Sequence, residues 1–272
     1  MFKPIFIIYK NVRWQGLCEN PNAITLLEQN LDKIDWYYLS ENPNAIHLLK
    51  QYPNKIKRVA LSSNPNAIEL LENNIDNIAW FMLSTNPNAI HLLEQNLDKI
   101  DWSNLSQNEN AIELLEKNAD KIDWRILSLN PNAIHLLEKN MEKIDWGFLS
   151  ANPNAIHLLE KNIDKISWIY LSQNPNAIHL LKKNMDKINW IHLSANPKAI
   201  HILENNLDLI CWYHLSKNPN AIHLLTRLDT DAMRKQCQPF AQELCAYVLH
   251  PLRLTRLAQN AGLDLEDYID LI

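Results

Sequence analysis

Apolar and polar positions follow one another along this chain in a pattern that recurs every 22 residues. In most copies Asn-Pro-Asn-Ala precedes Ile-x-Leu-Leu, a polar segment then ends in Asp-Lys-Ile-Asp, and Trp-x-x-Leu-Ser follows. At about 100° per residue around a helix, Ala45, Leu48 and Leu49 share one arc, whereas His47 lies opposite them. The pattern therefore predicts a helix with one apolar face, which needs a neighbour to pack against.

Capping residues predict two helices in each copy. Asparagine is a preferred N-cap and proline suits the first helical position, so Asn-Pro-Asn-Ala marks the start of the first helix. Asn30 and its equivalents end that helix, because asparagine tolerates the left-handed conformation of a helix C-terminus. Asp35 then caps a shorter helix through Trp36 and Leu39. Helices of about nine and six residues do not persist alone in water, so each copy must be stabilised by its neighbours.

The copies form an uninterrupted array, because no residue is inserted or deleted between the asparagines that open them. We therefore predict an all-α fold, an α-solenoid of about ten two-helix repeats of 22 residues with N- and C-terminal caps. Residues 1–11 are the expected N-terminal cap, 12–227 the repeat solenoid, and 228–272 a helical C-terminal cap or docking module. With helices about 8–10 Å apart, the array is expected to be a rod or superhelix roughly 80–100 Å long. The opening asparagines are Asn20, Asn42, Asn64, Asn86, Asn108, Asn130, Asn152, Asn174, Asn196 and Asn218.

A leucine-rich-repeat-like α/β solenoid is the alternative fold. Its repeat length includes 22 residues, and Trp-x-x-Leu-Ser-x-Asn matches its strand and asparagine signature. The position that such a strand would point inward holds Ser103, Arg125 and Gly147, which favours the helical interpretation.

A tryptophan recurs in nine copies on the face that carries Leu39, so this column is expected to lie in the core. One stretch, residues 52–58, departs strongly from the pattern, and Arg58 replaces the tryptophan there. Arg58 is expected either to cover the ring faces of Trp36 and Trp80 or to form an exposed anion site.

The residue after the tryptophan points away from the Leu39 face and yet is apolar in six copies, which favours a binding surface. Burial of the same groups by the curvature of the array is the open alternative. Two apolar patches, at residues 37–81 and 169–213, are separated by Ser103, Arg125 and Gly147. The predicted partner-binding residues are Tyr37, Arg58, Phe81, Arg125, Ile169, Ile191 and Tyr213.

Composition narrows the function classes. The net charge of −5 gives no reason to expect a polyanion partner, so nucleic acid is not the expected ligand. Four unpatterned cysteines fit a reducing compartment, and no apolar segment approaches the roughly 20 residues of a membrane span. Residues 1–9 lack the features of a signal peptide. We therefore expect a soluble intracellular protein without a membrane partner.

The sequence contains no motif that predicts catalysis, metal binding or phosphate binding. The chain has three glycines and lacks a phosphate-binding loop, a paired metal motif or a nucleophile elbow. The histidine column, such as His47, His91 and His135, falls on the polar face and is expected to be solvated. We predict no catalytic residue, no cofactor, no metal and no small-molecule substrate.

The unit from Leu83 to Trp102 resembles a repeat found in proteins of the nucleocytoplasmic large DNA viruses, the giant viruses. The tail at residues 243–253 and 264–268 looks like the ending of many proteins from those viruses. This resemblance implies a helical array and a location in the host cytoplasm or the virion. The same tail, through Pro239, Glu243 and Leu249, is also weakly similar to an F-box.

Together these observations predict a non-enzymatic scaffold for protein–protein interaction, of viral origin, that binds a host or viral protein along the solenoid. A structural or minor capsid component is one alternative. A ubiquitin-ligase substrate adaptor that uses the F-box-like tail is the other.

Overall fold

The computed structural model describes residues 6–73, 75–228 and 254–258. The chain divides into two compact units, Tyr9–Leu225 and a second unit that contains Met1–Ile8 and Thr226–Ile272. In the second unit, strand β1 (Phe6–Ile8) pairs antiparallel with strand β2 (Thr226–Leu228), and residues 254–258 are helical. Most of the predicted C-terminal cap or docking module, including the F-box-like residues 239–249, lies outside the described residues.

The unit Tyr9–Leu225 is an α-solenoid of ten helix pairs, which confirms the predicted fold class. We call the first helix of each pair the Trp helix and the second the Ile helix, after their usual first residues. The Trp helices are Trp14–Glu19, Trp36–Glu41, Arg58–Ser63, Trp80–Leu83, Trp102–Ser106, Trp124–Leu127, Trp146–Ala151, Trp168–Leu171, Trp190–Ala195 and Trp212–Lys217. The Ile helices are Ile24–Glu28, Ile46–Gln51, Ile68–Glu72, Ile90–Glu94, Ile112–Lys117, Ile134–Lys139, Ile156–Lys161, Ile178–Lys183, Ile200–Leu203 and Ile222–Leu225.

Short 3-10 turns, such as Leu31–Lys33, connect each Ile helix to the Trp helix of the next copy. The Trp-x-x-Leu segments of nine copies and the equivalent residues 58–61 are all helical, so the α/β alternative does not hold. Copies are numbered one to ten by the asparagine between their two helices, from Asn20 to Asn218.

Side-chain hydrogen bonds to the backbone cap the helix ends. Asp35 Oδ1 accepts from the Tyr37 N–H at 3.0 Å, which is the predicted cap. The expected left-handed asparagine at the end of the Ile helix is wrong, because Asn30 has φ −139° and ψ 52°. Its side chain instead donates to the Leu26 carbonyl at 2.8 Å and so satisfies a carbonyl that the helix end leaves unpaired.

The core lies between the two helices of each copy. Leu39 and Leu49 are fully buried, and so are Ser40 and Ala45. The nine tryptophans are only half-buried, so their predicted place in the core is wrong. Each tryptophan is the first residue of its helix and lies at the helix end, where the 3-10 turns of the array also lie.

A ladder of buried asparagines connects consecutive copies. Asn42 Nδ2 donates to the carbonyls of Cys18 and Asn20 in the preceding copy, at 2.8 and 3.0 Å. Its Oδ1 accepts from the Asn44 N–H at 3.0 Å and caps its own copy. The same three bonds recur at every later ladder asparagine, although Lys198 stands in the place of Asn44 in copy nine.

The ladder continues from copy ten back to copy one. Asn20 Nδ2 donates to the carbonyls of Ser216 and Asn218, at 3.1 and 2.9 Å. The Arg13 N–H donates to Ser216 Oγ at 3.1 Å, as the Lys57 N–H does to Ser40 Oγ at 3.0 Å between the consecutive copies two and three. Copy ten is therefore the neighbour of copy one, and the array is a closed ring.

Closure overturns the expected rod. The first and last Trp helices, Trp14–Glu19 and Trp212–Lys217, pack directly against each other, so both end copies cover their apolar faces without an open end. Ten copies at the usual helix spacing extend over roughly 80–100 Å. This distance is the circumference of the ring and not the length of a rod.

Candidate partner-binding channel

The Trp helices form the inner circle of the ring. Seven of the ten neighbouring pairs of Trp helices, including the pair that closes the ring, pack closely on each other, whereas consecutive Ile helices approach each other less closely. In two concentric circles with the same number of helices, the closer spacing belongs to the inner one. The face of the Trp helix that points away from its Ile helix therefore lines a central channel.

Helix dimensions set the width of this channel. Ten helices about 8–10 Å apart give a circle roughly 25–32 Å across between helix axes. Helices with side chains are about 10–12 Å wide, which leaves an opening of roughly 15–20 Å.

The predicted row of residues after the tryptophan lines this channel. Tyr37, Phe81, Ile169 and Ile191 are 41% to 51% exposed, so curvature does not bury them. The two predicted apolar patches are therefore both on the channel wall. Tyr213 is half-buried, because Lys217 Nζ lies over its ring at 4.6 Å.

The two predicted arginines lie in different places. Arg125 is an exposed member of the channel row, and its guanidinium lies 5.3 Å from the centre of the Phe148 ring. Arg58 is exposed at the tryptophan position, outside the row. It does not cover Trp80, whose ring has Lys99 Nζ over it at 4.7 Å. Trp36 instead contacts Tyr52, with ring centres 5.3 Å apart.

Beside the channel row, the next residue of the Trp helix forms a chain of half-buried rings in copies seven to ten. Phe148 contacts Tyr170 at 5.5 Å between ring centres, and Tyr170 contacts His192 at 6.3 Å. His192 in turn lies 6.2 Å from His214, and burial lowers the pKa of His214, with Lys217 and His192 adding to the effect. These contacts hold successive Trp helices in register along this arc.

Sequence reasoning missed a second exposed apolar row. The first residue of the 3-10 turn is apolar in most copies and lies on one rim of the ring, where the turns and the starts of the Trp helices lie together. The signal was present as the apolar residue before Asp-Lys in each copy. The exposed members are Leu31, Ile75, Leu97, Met141, Ile163, Met185 and Leu207.

The junction of copies ten and one has its own contacts. Lys217 Nζ lies 2.8 Å from Glu19 Oε1 and forms a partly buried ion pair with it. Burial and the nearby Glu19 carboxylate raise the pKa of Glu41. At Gly16, an added Cβ would lie 2.8 Å from both the Tyr213 carbonyl oxygen and Ser216 Cβ. The junction therefore needs glycine at that position.

The outer wall is polar. Six histidines of the predicted column contact a glutamate of the preceding copy, as His47 Nε2 does with Glu28 Oε1 at 3.0 Å. These histidines are exposed, as the pattern indicated. Consecutive copies are thus bridged on the outside by exposed pairs, which contribute little stability each.

The geometry defines the class of protein as a closed ring of helical repeats with two exposed apolar patches on its Trp helices. No family model matches the chain, and neither a curated protein nor a solved structure matches it. Among the described residues there is no group of three or more side chains placed to hold a metal ion. No helix in the described ranges has both the length and the apolar character needed to cross a bilayer.

Proposed function

We propose that the ring is a non-enzymatic scaffold that binds one polypeptide segment of a protein partner inside its central channel. The supporting observation is the exposure of large apolar side chains at the channel-facing position, in the row with Tyr37, Phe81, Ile169 and Ile191. Apolar groups exposed together on a folded protein are typical of binding surfaces.

The width of the channel favours a single segment. An opening of roughly 15–20 Å is wider than an α-helix, which is about 10–12 Å across with its side chains. It is narrower than a folded domain, since a domain of about 100 residues has a radius of gyration near 13 Å. A helix or an extended chain fits, and its apolar groups can meet the two patches.

Charge favours a polypeptide over a nucleic acid strand. The row of ten residues after the tryptophan position contains one charged side chain, Arg125. A strand of nucleic acid is bound mainly through basic residues on its phosphates, and this wall does not supply them. In this proposal the resemblance to giant-virus repeats makes the partner a host or viral protein, met in the host cytoplasm or the virion.

Photo-crosslinking tests the proposal directly. A benzophenone side chain is placed at Phe81 in the channel or at Leu97 on the rim, both about equally exposed at 48%. In cells that express the chain, we expect a discrete covalent adduct with one protein from position 81 and none from position 97. Adducts of equal yield from both positions would contradict binding inside the channel.

Alanine substitutions provide the matched control. Changing Tyr37, Ile169 and Ile191 to alanine should reduce the adduct from position 81 at least about fivefold, because hydrophobic anchors carry most of the binding energy. The same change at Leu31, Ile163 and Leu207, which are exposed on the rim, should leave the yield unchanged. An adduct that survives the channel substitutions would show that the row does not hold the partner.

A further inference from the structure

Five tryptophan rings on the rim are covered by a lysine of the chain itself. The ammonium group lies 4.3–4.8 Å from the ring centre, a distance typical of a cation–π contact. Each of these lysines is the last residue of the 3-10 turn that follows the tryptophan's own copy. The pairs are Lys99–Trp80, Lys121–Trp102, Lys143–Trp124, Lys165–Trp146 and Lys187–Trp168.

Among the described residues, four tryptophans lack such a cover: Trp190 and Trp212 in copies nine and ten, and Trp14 and Trp36 in copies one and two. Lys33 occupies the position of the covering lysine for Trp14, but its Nζ lies 3.2 Å from the carboxylate of Asp32. Within the part of the chain that the structure describes, no lysine or arginine lies over Trp14 or Trp36. An open groove of about 580 Å³ lies here, lined by both indoles together with Arg13 and Lys57.

The irregular stretch found in the sequence borders this groove. Lys57, like Arg13, stands at the repeat position that holds Asp, Ser or Asn in six copies, and Asp35 takes that position in the copy between them. At Lys57 a cation thus replaces a capping group. Arg58 follows it and is exposed. The groove therefore combines aromatic faces with a basic edge, in a ring whose other indoles are mostly covered.

The two carboxylates in the groove have partners already. Asp32 is paired with Lys33 at 3.2 Å. Asp35 accepts the Tyr37 N–H at 3.0 Å as a helix cap. Arg13 and Lys57 remain as the cations that an incoming anion would meet, and an arginine can hold a phosphate through two parallel hydrogen bonds.

We propose that this groove binds a nucleoside monophosphate, with the base stacked on an indole and the phosphate held by Arg13 and Lys57. Stacking on aromatic side chains accepts any base, because every base has a flat π face. This site is on the rim and does not depend on binding in the channel.

Calorimetric titration of the full chain with AMP, adenosine and inorganic phosphate tests the proposal. We expect AMP to bind at least about tenfold more tightly than either adenosine or phosphate alone, because the site needs both the ring and the charge. No heat of binding with AMP, or equal affinity for AMP and phosphate, would overturn it.

Three variants identify the site. Lys57→Asp restores the residue type of regular copies, so the ring should fold, and AMP affinity should fall tenfold or more. Trp14→Leu should weaken AMP binding without changing the response to phosphate. Lys139→Asp, at an exposed position on the outer wall, is the charge-matched control and should bind AMP as the unmodified chain does. AMP affinity that is unchanged by Lys57→Asp would place the ligand elsewhere and overturn the assignment.

Discussion

Each ladder asparagine uses every polar group of its side chain. Asn130 Oδ1 accepts from the Asn132 N–H at 3.0 Å, and its Nδ2 donates to Ser106 and Asn108 at 3.1 and 2.9 Å. The residue is fully buried, so these bonds form away from water. Each asparagine thus caps one copy and holds the copy before it.

Asn130→Ala is expected to destabilise the ring by about 3 kcal/mol, because it removes a helix cap and the two hydrogen bonds that Asn130 donates to buried carbonyls. Urea denaturation followed by circular dichroism gives this difference. Asn132→Ala is the control. Asn132 is exposed and donates one bond, to the Glu109 carbonyl at 2.8 Å, so a loss below about 1 kcal/mol is expected. Similar losses for both variants would contradict the role of the buried ladder.

Glu41 allows a test by pH. Burial and the carboxylate of Glu19 raise the pKa of Glu41 in the folded protein. The contribution of Glu41 to stability is therefore fully present below its pKa in the unfolded chain, and it is lost as pH rises through its pKa in the folded protein. Glu41→Gln should therefore stabilise the ring at pH 7, by less than about 1 kcal/mol since the group is half-exposed. Near pH 4 the gain should disappear.

Unfolding titrations of both proteins at the two pH values measure this effect. Glu94→Gln removes one charge from the exposed outer wall and controls for net charge. A gain for Glu41→Gln that is the same at both pH values would exclude titration of Glu41 as its cause.

The role of a residue was predictable from the sequence where that role depends only on its own copy. The cap role of Asn42 and Asp35 follows from their own copy. The hydrogen bonds that Asn42 donates to the carbonyls of Cys18 and Asn20 depend on where the neighbouring copy lies, and the sequence alone does not give that position. The place of the tryptophans was missed for the same reason, since the covering lysine comes from the next copy.

At the scale of elements, the helix pair was predicted from apolar spacing and capping. The start of the Ile helix differs, because Pro43–Ala45 forms a 3-10 turn and the α-helix begins at Ile46. In this turn Asn42 both caps its own copy and donates hydrogen bonds to the preceding copy. Turn type depends on that long-range bond and is therefore harder to predict than the helix itself.

Two glycines in Trp helices provide opposite predictions. Gly16→Ala should destabilise the ring by about 2 kcal/mol, because its Cβ would lie 2.8 Å from a backbone oxygen of copy ten and the packed junction must widen. Gly147→Ala should instead be neutral or stabilise by up to about 1 kcal/mol, since alanine is the better helix former and the position faces the channel.

Thermal and urea unfolding of the two variants decide between these effects. Gly147 is in the channel row, where an added Cβ would approach Asp145 Oδ1 at 3.0 Å and reach the Tyr170 ring only at 3.9 Å. If Gly16→Ala were as harmless as Gly147→Ala, the close packing of copies ten and one would be disproved.

At the scale of the whole array, closure was not predicted. Each of ten copies turns the chain by about 36°, one tenth of a circle, and a change of a few degrees per copy would give an open superhelix. No single residue determines that angle. Two signals at the ends were available, Gly16 in place of a side chain, and Lys217 at the repeat position that carries Glu19 and Glu41 in copies one and two.

Reversing a charge tests the junction. Lys217→Glu places like charges where the ion pair with Glu19 lies, and should lower the stability of the ring by roughly 2 kcal/mol because the pair is partly buried. Adding Glu19→Lys should restore most of the loss. Equilibrium unfolding of both single variants and the double variant gives the coupling energy. Additive losses without rescue would contradict the pairing of these two residues.

Removing one whole copy tests the ring. Deletion of residues 130–151 leaves nine copies, which must each turn about 40° to close. In an open solenoid the loss would be one interface, but here strain or an unclosed junction should lower the midpoint of thermal unfolding by roughly 10 °C. Small-angle scattering should show a larger radius of gyration if the junction opens. An unchanged midpoint would argue against a closed array.

The meeting of both ends of the array has a practical consequence. The Tyr9 N–H donates to the Leu225 carbonyl at 3.1 Å, so the array starts and finishes at the same spot. A module with adjacent termini can be spliced into a surface loop of a host fold without pulling that loop apart. Residues 9–225 could therefore be transplanted as a self-contained annular cassette, displayed on a carrier by two short tethers.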